Sequence, residues 1–121
     1  MQNLSEIVER YVAVWNEPDA GRRRRAIAEL WTEDGVHLTP SGEARGHAAI
    51  EARIAGAHER LVRTGGNVFK PVDNIDGHHN TVKFNWLMLP AAGGDVSAVG
   101  FDFFVLGEDG RIQRDYQFIE P

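Results

Sequence analysis

The stretch GFDFFVLGEDGRIQRDYQFI, Gly100 to Ile119, decides how this chain folds. Two extended, apolar-rich runs flank Gly107-Glu108-Asp109-Gly110, a turn-forming tetrad, so the segment reads as an antiparallel hairpin. In the first run, begun a few residues earlier, Ala98, Gly100, Asp102, Phe104 and Leu106 share one face, and Val99, Phe101, Phe103 and Val105 share the other. Both faces are mostly apolar. One face can pack on helices, and the other then needs a cover, for which a second copy of the same sheet is the simplest choice; a homodimer through the outer sheet face is the expectation. Asp102 breaks the pattern. A carboxylate in apolar surroundings costs several kcal/mol unless it is paired, hydrogen-bonded or protonated, so this strand face is wet or Asp102 has a task.

Working back from the hairpin, TVKFNWLML (Thr81–Leu89) is another strand, DGHHN a turn, and NVFKPVDNI (Asn67–Ile75) an edge strand, because Pro71 cannot donate to a ladder. The N-terminal half has the helical period instead. Leu4, Ile7, Val8, Tyr11, Val12 and Trp15 form one continuous stripe, with Asn3 and Glu6 placed to cap it. A second helix is expected from the arginine cluster through Ile27, Leu30 and Trp31, stopping before Gly35, and VHLTP (Val36–Pro40) is a short extended piece. A third helix follows Gly46, carries Ala49, Ile50, Arg53, Ile54, Ala57 and Leu61, and ends at Gly65-Gly66. Helices first and an antiparallel meander afterwards give an α+β domain, three helices on one face of a curved, mainly antiparallel sheet.

The 121 residues fit a single domain, 1–121, long enough to bury a core without staples. The absence of cysteine excludes disulfides and thiolate metal sites. A net charge of −5 argues against nucleic acid, and Arg22 to Arg25, consecutive on a helix, point in four directions rather than forming one phosphate-tracking stripe. No apolar run spans a bilayer and the N-terminus is no signal peptide, so a cytoplasmic protein without a membrane role is expected. A metal is not expected: neighbouring His78 and His79 point apart on extended chain, and His47 and His58 lie about three helical turns apart. Neither AAGGD nor GEDG precedes a helix as a nucleotide cradle would.

Three segments, RYVAVWNEPD (Arg10–Asp19), IAELWTEDGVHLTPSGEARGHAAI (Ile27–Ile50) and GFDFFVLGEDGRI (Gly100–Ile112), resemble in order and spacing the NTF2-like superfamily, in particular its SnoaL-like and ketosteroid-isomerase-like members. The resemblance covers nearly the whole chain. It implies a cone-shaped α+β barrel around one deep pocket. The isomerases pair a tyrosine on the first helix with a protonated aspartate on a late strand as an oxyanion hole. The matching positions are Tyr11 and Asp102, which implies a neutral, hydrogen-bond-donating Asp102. The isomerase base falls at Thr39, whose hydroxyl cannot accept a proton near neutral pH, so ordinary ketosteroid isomerisation is not expected. His37, on the same strand face as Thr39, is then the candidate for proton transfer, against a plain imidazole bonded to a backbone carbonyl at the barrel mouth.

Trp15, Trp31, Thr39, Phe84, Trp86, Phe104, Tyr116 and Phe118 are the expected pocket wall, each with plain core packing as the competing role. Asp102 has a competing role too, an ion pair with Arg114, while Asp115 is expected on the outer face or at the dimer edge. The functional expectation is a pocket for a small hydrophobic or enolisable molecule, serving an isomerase, cyclase or dehydratase that works through an enolate without a cofactor. The alternative is a non-catalytic module of the same fold.

Overall fold

A computed structural model describes residues 3–120. Helix α1 (Leu4–Asn16) begins at Asn3, whose side chain accepts the Glu6 N–H at 3.2 Å, and it buries Ile7, Val8, Tyr11 and Val12. Helix α2 (Ala20–Leu30) is capped likewise by Asp19. It stops earlier than its sequence suggests. Trp31 is extended (φ −110°, ψ 146°) and opens strand β1 (Trp31–Thr39), so Trp31–Asp34 is strand rather than helix. Thr32, Asp34 and Gly35 are weak helix formers, and parallel pairing of Trp31 with Ile112 decides the matter. Strand β2 (Gly42–Arg45), which periodicity missed, turns back on β1. Helix α3 (His47–Ala57) continues into a π-helical stretch, His58–Thr64, before Gly65-Gly66.

Strands β3 (Asn67–Pro71), β4 (Thr81–Pro90), β5 (Ala98–Leu106) and β6 (Ile112–Ile119) complete one six-stranded sheet, ordered β2-β1-β6-β5-β4-β3. All neighbours are antiparallel except β1 and β6. The sheet is not closed: β2 and β3 remain its edges, with Pro71 on β3 as expected.

The β5–β6 hairpin contains the irregularity that positions everything else. Leu106 pairs with Ile112, but Val105 pairs with Arg114, so Gln113 is an extra residue on β6. Gln113 and Arg114 are both exposed, and burial resumes at Asp115. Regular pairing would turn Tyr116 and Phe118 inward; the bulge turns them outward, where they lie beside Phe103 and Phe101 at ring distances of 6.4 and 6.0 Å. These two residues are therefore not pocket wall, and Asp115 is fully buried on the inner face rather than exposed outside.

The inner face and the helices enclose Trp31, Phe84 and Phe104, all fully buried, and each contributes about 2 kcal/mol or more through removal from water. Phe84 and Phe104 pack on the Tyr11 ring at 5.9 and 4.8 Å. The arginine cluster is split: Arg24 pairs with Glu51 at 3.0 Å, whereas Arg23 is buried and donates to the Glu17 carbonyl. Among the described residues no helix is long and apolar enough to cross a membrane.

Gly100 sits opposite Trp86, and a Cβ there would lie 2.0 Å from the indole ring. Gly100→Ala is expected to displace that ring and lower the unfolding free energy by about 2 kcal/mol or more, read by urea denaturation. An unchanged midpoint would show that the indole moves freely.

Candidate functional site

A cavity of about 540 Å³ lies between α1, the end of β1, α3 with its π-helical extension, and the inner face of the sheet. Of the expected site residues, Tyr11, Trp15, His37, Thr39 and Trp86 line it. Trp31, Phe84 and Phe104 stand in the core behind Tyr11, and Tyr116 and Phe118 are on the other side of the sheet. Arg53, Arg60 and Gln117 line the cavity as well, none of them expected as site residues.

Behind the cavity wall three polar side chains meet, all of them buried. The Tyr11 hydroxyl lies 3.0 Å from Asp102 Oδ2 and 2.5 Å from Asp115 Oδ2, and both aspartates are fully buried. Alternation brings them together: Asp102 faces inward from β5 and, past the bulge, Asp115 faces inward from β6. Asp102 makes no ion pair with Arg114. Its Oδ1 accepts the Trp86 indole N–H at 2.6 Å, so both its oxygens face donors, the pattern of a carboxylate rather than of a neutral donor.

Proton counting fixes the rest. One hydroxyl proton cannot be given fully to two carboxylates, so one contact needs a proton from a carboxyl group. Burial first, and the neighbouring Asp102 charge second, push the Asp115 carboxyl well above the usual carboxylate range. Of the two acids flanking Tyr11, Asp115 is thus the one on which burial favours the extra proton. Burial and the two aspartates also push Tyr11 well above its ordinary value, so its hydroxyl stays a donor and is no base.

His37 stands beside this group, Nε2 being 2.9 Å from Gln117 Oε1 and 3.6 Å from Asp115 Oδ2. Arg53 Nη1 lies 3.1 Å from His37 Nδ1 and, because arginine only donates, that nitrogen must be the acceptor. The ring is then neutral with its proton on Nε2, consistent with burial holding its pKa below the usual histidine value. Its one lone pair is occupied. Thr39 bonds to Ser41 and the Gly42 carbonyl, an ordinary turn contact.

His37, Asp102 and Asp115 place one ligating atom each within 4.8 Å of one another. Tyr11, Trp86 and Arg53 already donate into this group, so its lone pairs are arranged for protons rather than a cation. The other histidines do structural work: His47 reaches the Trp31 and Thr32 carbonyls, and His58 that of Trp15. His78 and His79 do not point apart, because the positive φ of His79 (50°) brings their Nδ1 atoms to 2.8 Å.

Three helices packed on a six-stranded, mostly antiparallel open sheet define the NTF2-like fold class. The chain belongs to the SnoaL-like family, whose domain model matches residues 8–115. It is similar to a "putative isomerase" of that family from Agrobacterium tumefaciens, with 30% identity, a TM-score of 0.89 and full coverage of both chains. In fold it is also similar to a "putative polyketide cyclase" from Sinorhizobium meliloti, with 17% identity, a TM-score of 0.71 and coverage of 93% of this chain and 94% of that one. An NTF2-like protein with a cystatin-like fold from Novosphingobium aromaticivorans matches at 22% identity and a TM-score of 0.70, over 94% of this chain and 77% of that one. No curated protein matches in sequence.

The raised Asp115 pKa has a sign that can be tested. From the unfolded carboxylate value of about 4 up to its own folded value, the native state binds more protons than the unfolded chain, so this group lowers stability as pH rises. Asp115→Asn stays neutral throughout and lacks that fall. Urea denaturation between about pH 4 and about pH 8 should show wild type losing stability relative to the variant. A constant difference would place the proton elsewhere.

Proposed function

We propose that the cavity binds a small hydrophobic, enolisable carbonyl compound and favours its enol form. The observation that carries this reading is the Asp115–Tyr11–Asp102 group, a proton donor chain held out of water at the wall of a largely apolar cavity. Tyr11 lines the cavity and can turn its proton from Asp102 to a substrate oxygen, with Asp115 donating to the Tyr11 oxygen behind it. Gln117 offers an amide at the same end. Trp15 lines the same cavity.

Among the described residues lining the cavity there is no carboxylate, and the His37 lone pair is held by Arg53. The proton leaving the α-carbon therefore goes to water, and the carbon regains one from solvent. This is general acid catalysis of enolisation, the shared first step of isomerisation, cyclisation and dehydration next to a carbonyl. The isomerase and cyclase descriptions of the structural relatives accord with it. The missing base favours a second reading, a non-catalytic binding module using the same cavity.

Incubation of the protein with 2-tetralone in deuterated buffer separates the two. Catalysis is expected to give α-deuteration above the buffer rate, reduced about tenfold or more in Tyr11→Phe. Binding without excess exchange would select the non-catalytic module.

We also infer that a second copy covers the outer sheet face, where Phe101, Phe103, Tyr116 and the half-exposed Phe118 form an aromatic ladder. Sedimentation equilibrium at micromolar concentration should return twice the chain mass; a monomer would refute it.

A further inference from the structure

Every charged residue that lines the cavity is an arginine. Arg53 and Arg60 both contribute, no aspartate or glutamate does, and this holds in a chain of net charge −5. Among the described residues neither arginine has a carboxylate within ion-pairing distance, although Arg10, Arg24, Arg45, Arg63 and Arg111 all do. Arg53 is anchored by one nitrogen only: Nη1 donates to His37 Nδ1 and to the His37 carbonyl, each at 3.1 Å. Its Nη2 and Nε make no bond within the described residues, so half of the guanidinium fork stays open. Arg60 follows seven residues later, two helical turns and about 10 Å along the same helical segment. The two buried aspartates do not neutralise them, because both are enclosed behind Tyr11 and Trp86 and one is protonated.

We propose that the ligand of this cavity is an organic anion: an apolar body that carries a carboxylate, the carboxylate being held by Arg53 and Arg60. The inference rests on the cavity being the ligand site, and it adds a charge beside His37, to which Arg53 is bonded. A carboxylate fits better than a phosphate. The open edge of one arginine and a second, free arginine match two coplanar oxygens, whereas lysine is absent from the lining and no helix N-terminus contributes the amides that usually complete a phosphate site. The rest of the lining, Trp15, Leu61, Phe69, Trp86 and Met88, suits an aromatic or alicyclic body. In this arrangement the acid end registers the molecule against the His37–Gln117 edge of the cavity.

Trp15 and Trp86 line the cavity, so their fluorescence reports occupancy directly. Titration with 2-naphthylacetate and with its methyl ester compares two ligands that differ in charge but hardly in shape. The acid is expected to bind about tenfold or more tightly than the ester, and salt should weaken the acid alone. Arg60 is exposed, so Arg60→Gln should fold normally and lose that preference while binding the ester unchanged. Arg53→Gln, with its fold checked by circular dichroism, is the second arm. Loss of the preference in either variant supports the proposal, and a preference surviving in both overturns it. Equal binding of acid and ester by wild type overturns the charge assignment and leaves the apolar cavity standing as a ligand site. Binding of neither ligand overturns both.

Discussion

The contact of Tyr11 with Asp102 and Asp115 ties α1 to β5 and β6, two strands already joined by their own ladder. Burying two carboxyl groups is costly, and the structure offsets that cost with donors instead of counter-ions. Trp86 donates to one oxygen of Asp102, Tyr11 to the other, and Asp115 keeps its own proton. Much of the surrounding architecture follows from this. Gly100 lacks a side chain so that the Trp86 ring can lie over β5, and Phe84 and Phe104 brace the Tyr11 ring on the inner face.

The same arrangement separates two kinds of polar surface. The carboxyl pair is sealed away and reaches the cavity only through its donors, while the arginines border the cavity itself. His37 joins the two regions, bonded to Arg53 on one side and to Gln117 on the other. A ligand that engages Arg53 thus touches a chain of hydrogen bonds ending close to Asp115. The chain belongs to the SnoaL-like family, but fold alone assigns no reaction.

Most of the fold was legible because the signals were local. The α1 stripe, the Gly65-Gly66 stop, the Pro71 edge strand and the β4 and β5 strands all follow from period and turn chemistry. Helix α2 was read as too long because Trp31 continues its apolar pattern, and only its distant partner Ile112 makes it a strand residue. The site was half legible. Tyr11 and Asp102 stand out by resemblance and by an acid among aromatics, but the faces of β6 were inverted. One extra residue at Gln113 reverses every later side chain, exchanging Tyr116 for Asp115. Two adjacent polar residues, Gln113 and Arg114, ahead of a buried acid were the available trace of that bulge. Arg53 lay within a helical stripe and gave no sign of its role, since the cavity beside it is assembled from several distant segments.

A site that holds a single proton between two acids also sets a rule for whatever enters it. An occupant that draws the Tyr11 hydroxyl away from Asp102 must itself replace the donor that this buried oxygen loses, or leave a buried acceptor unpaired.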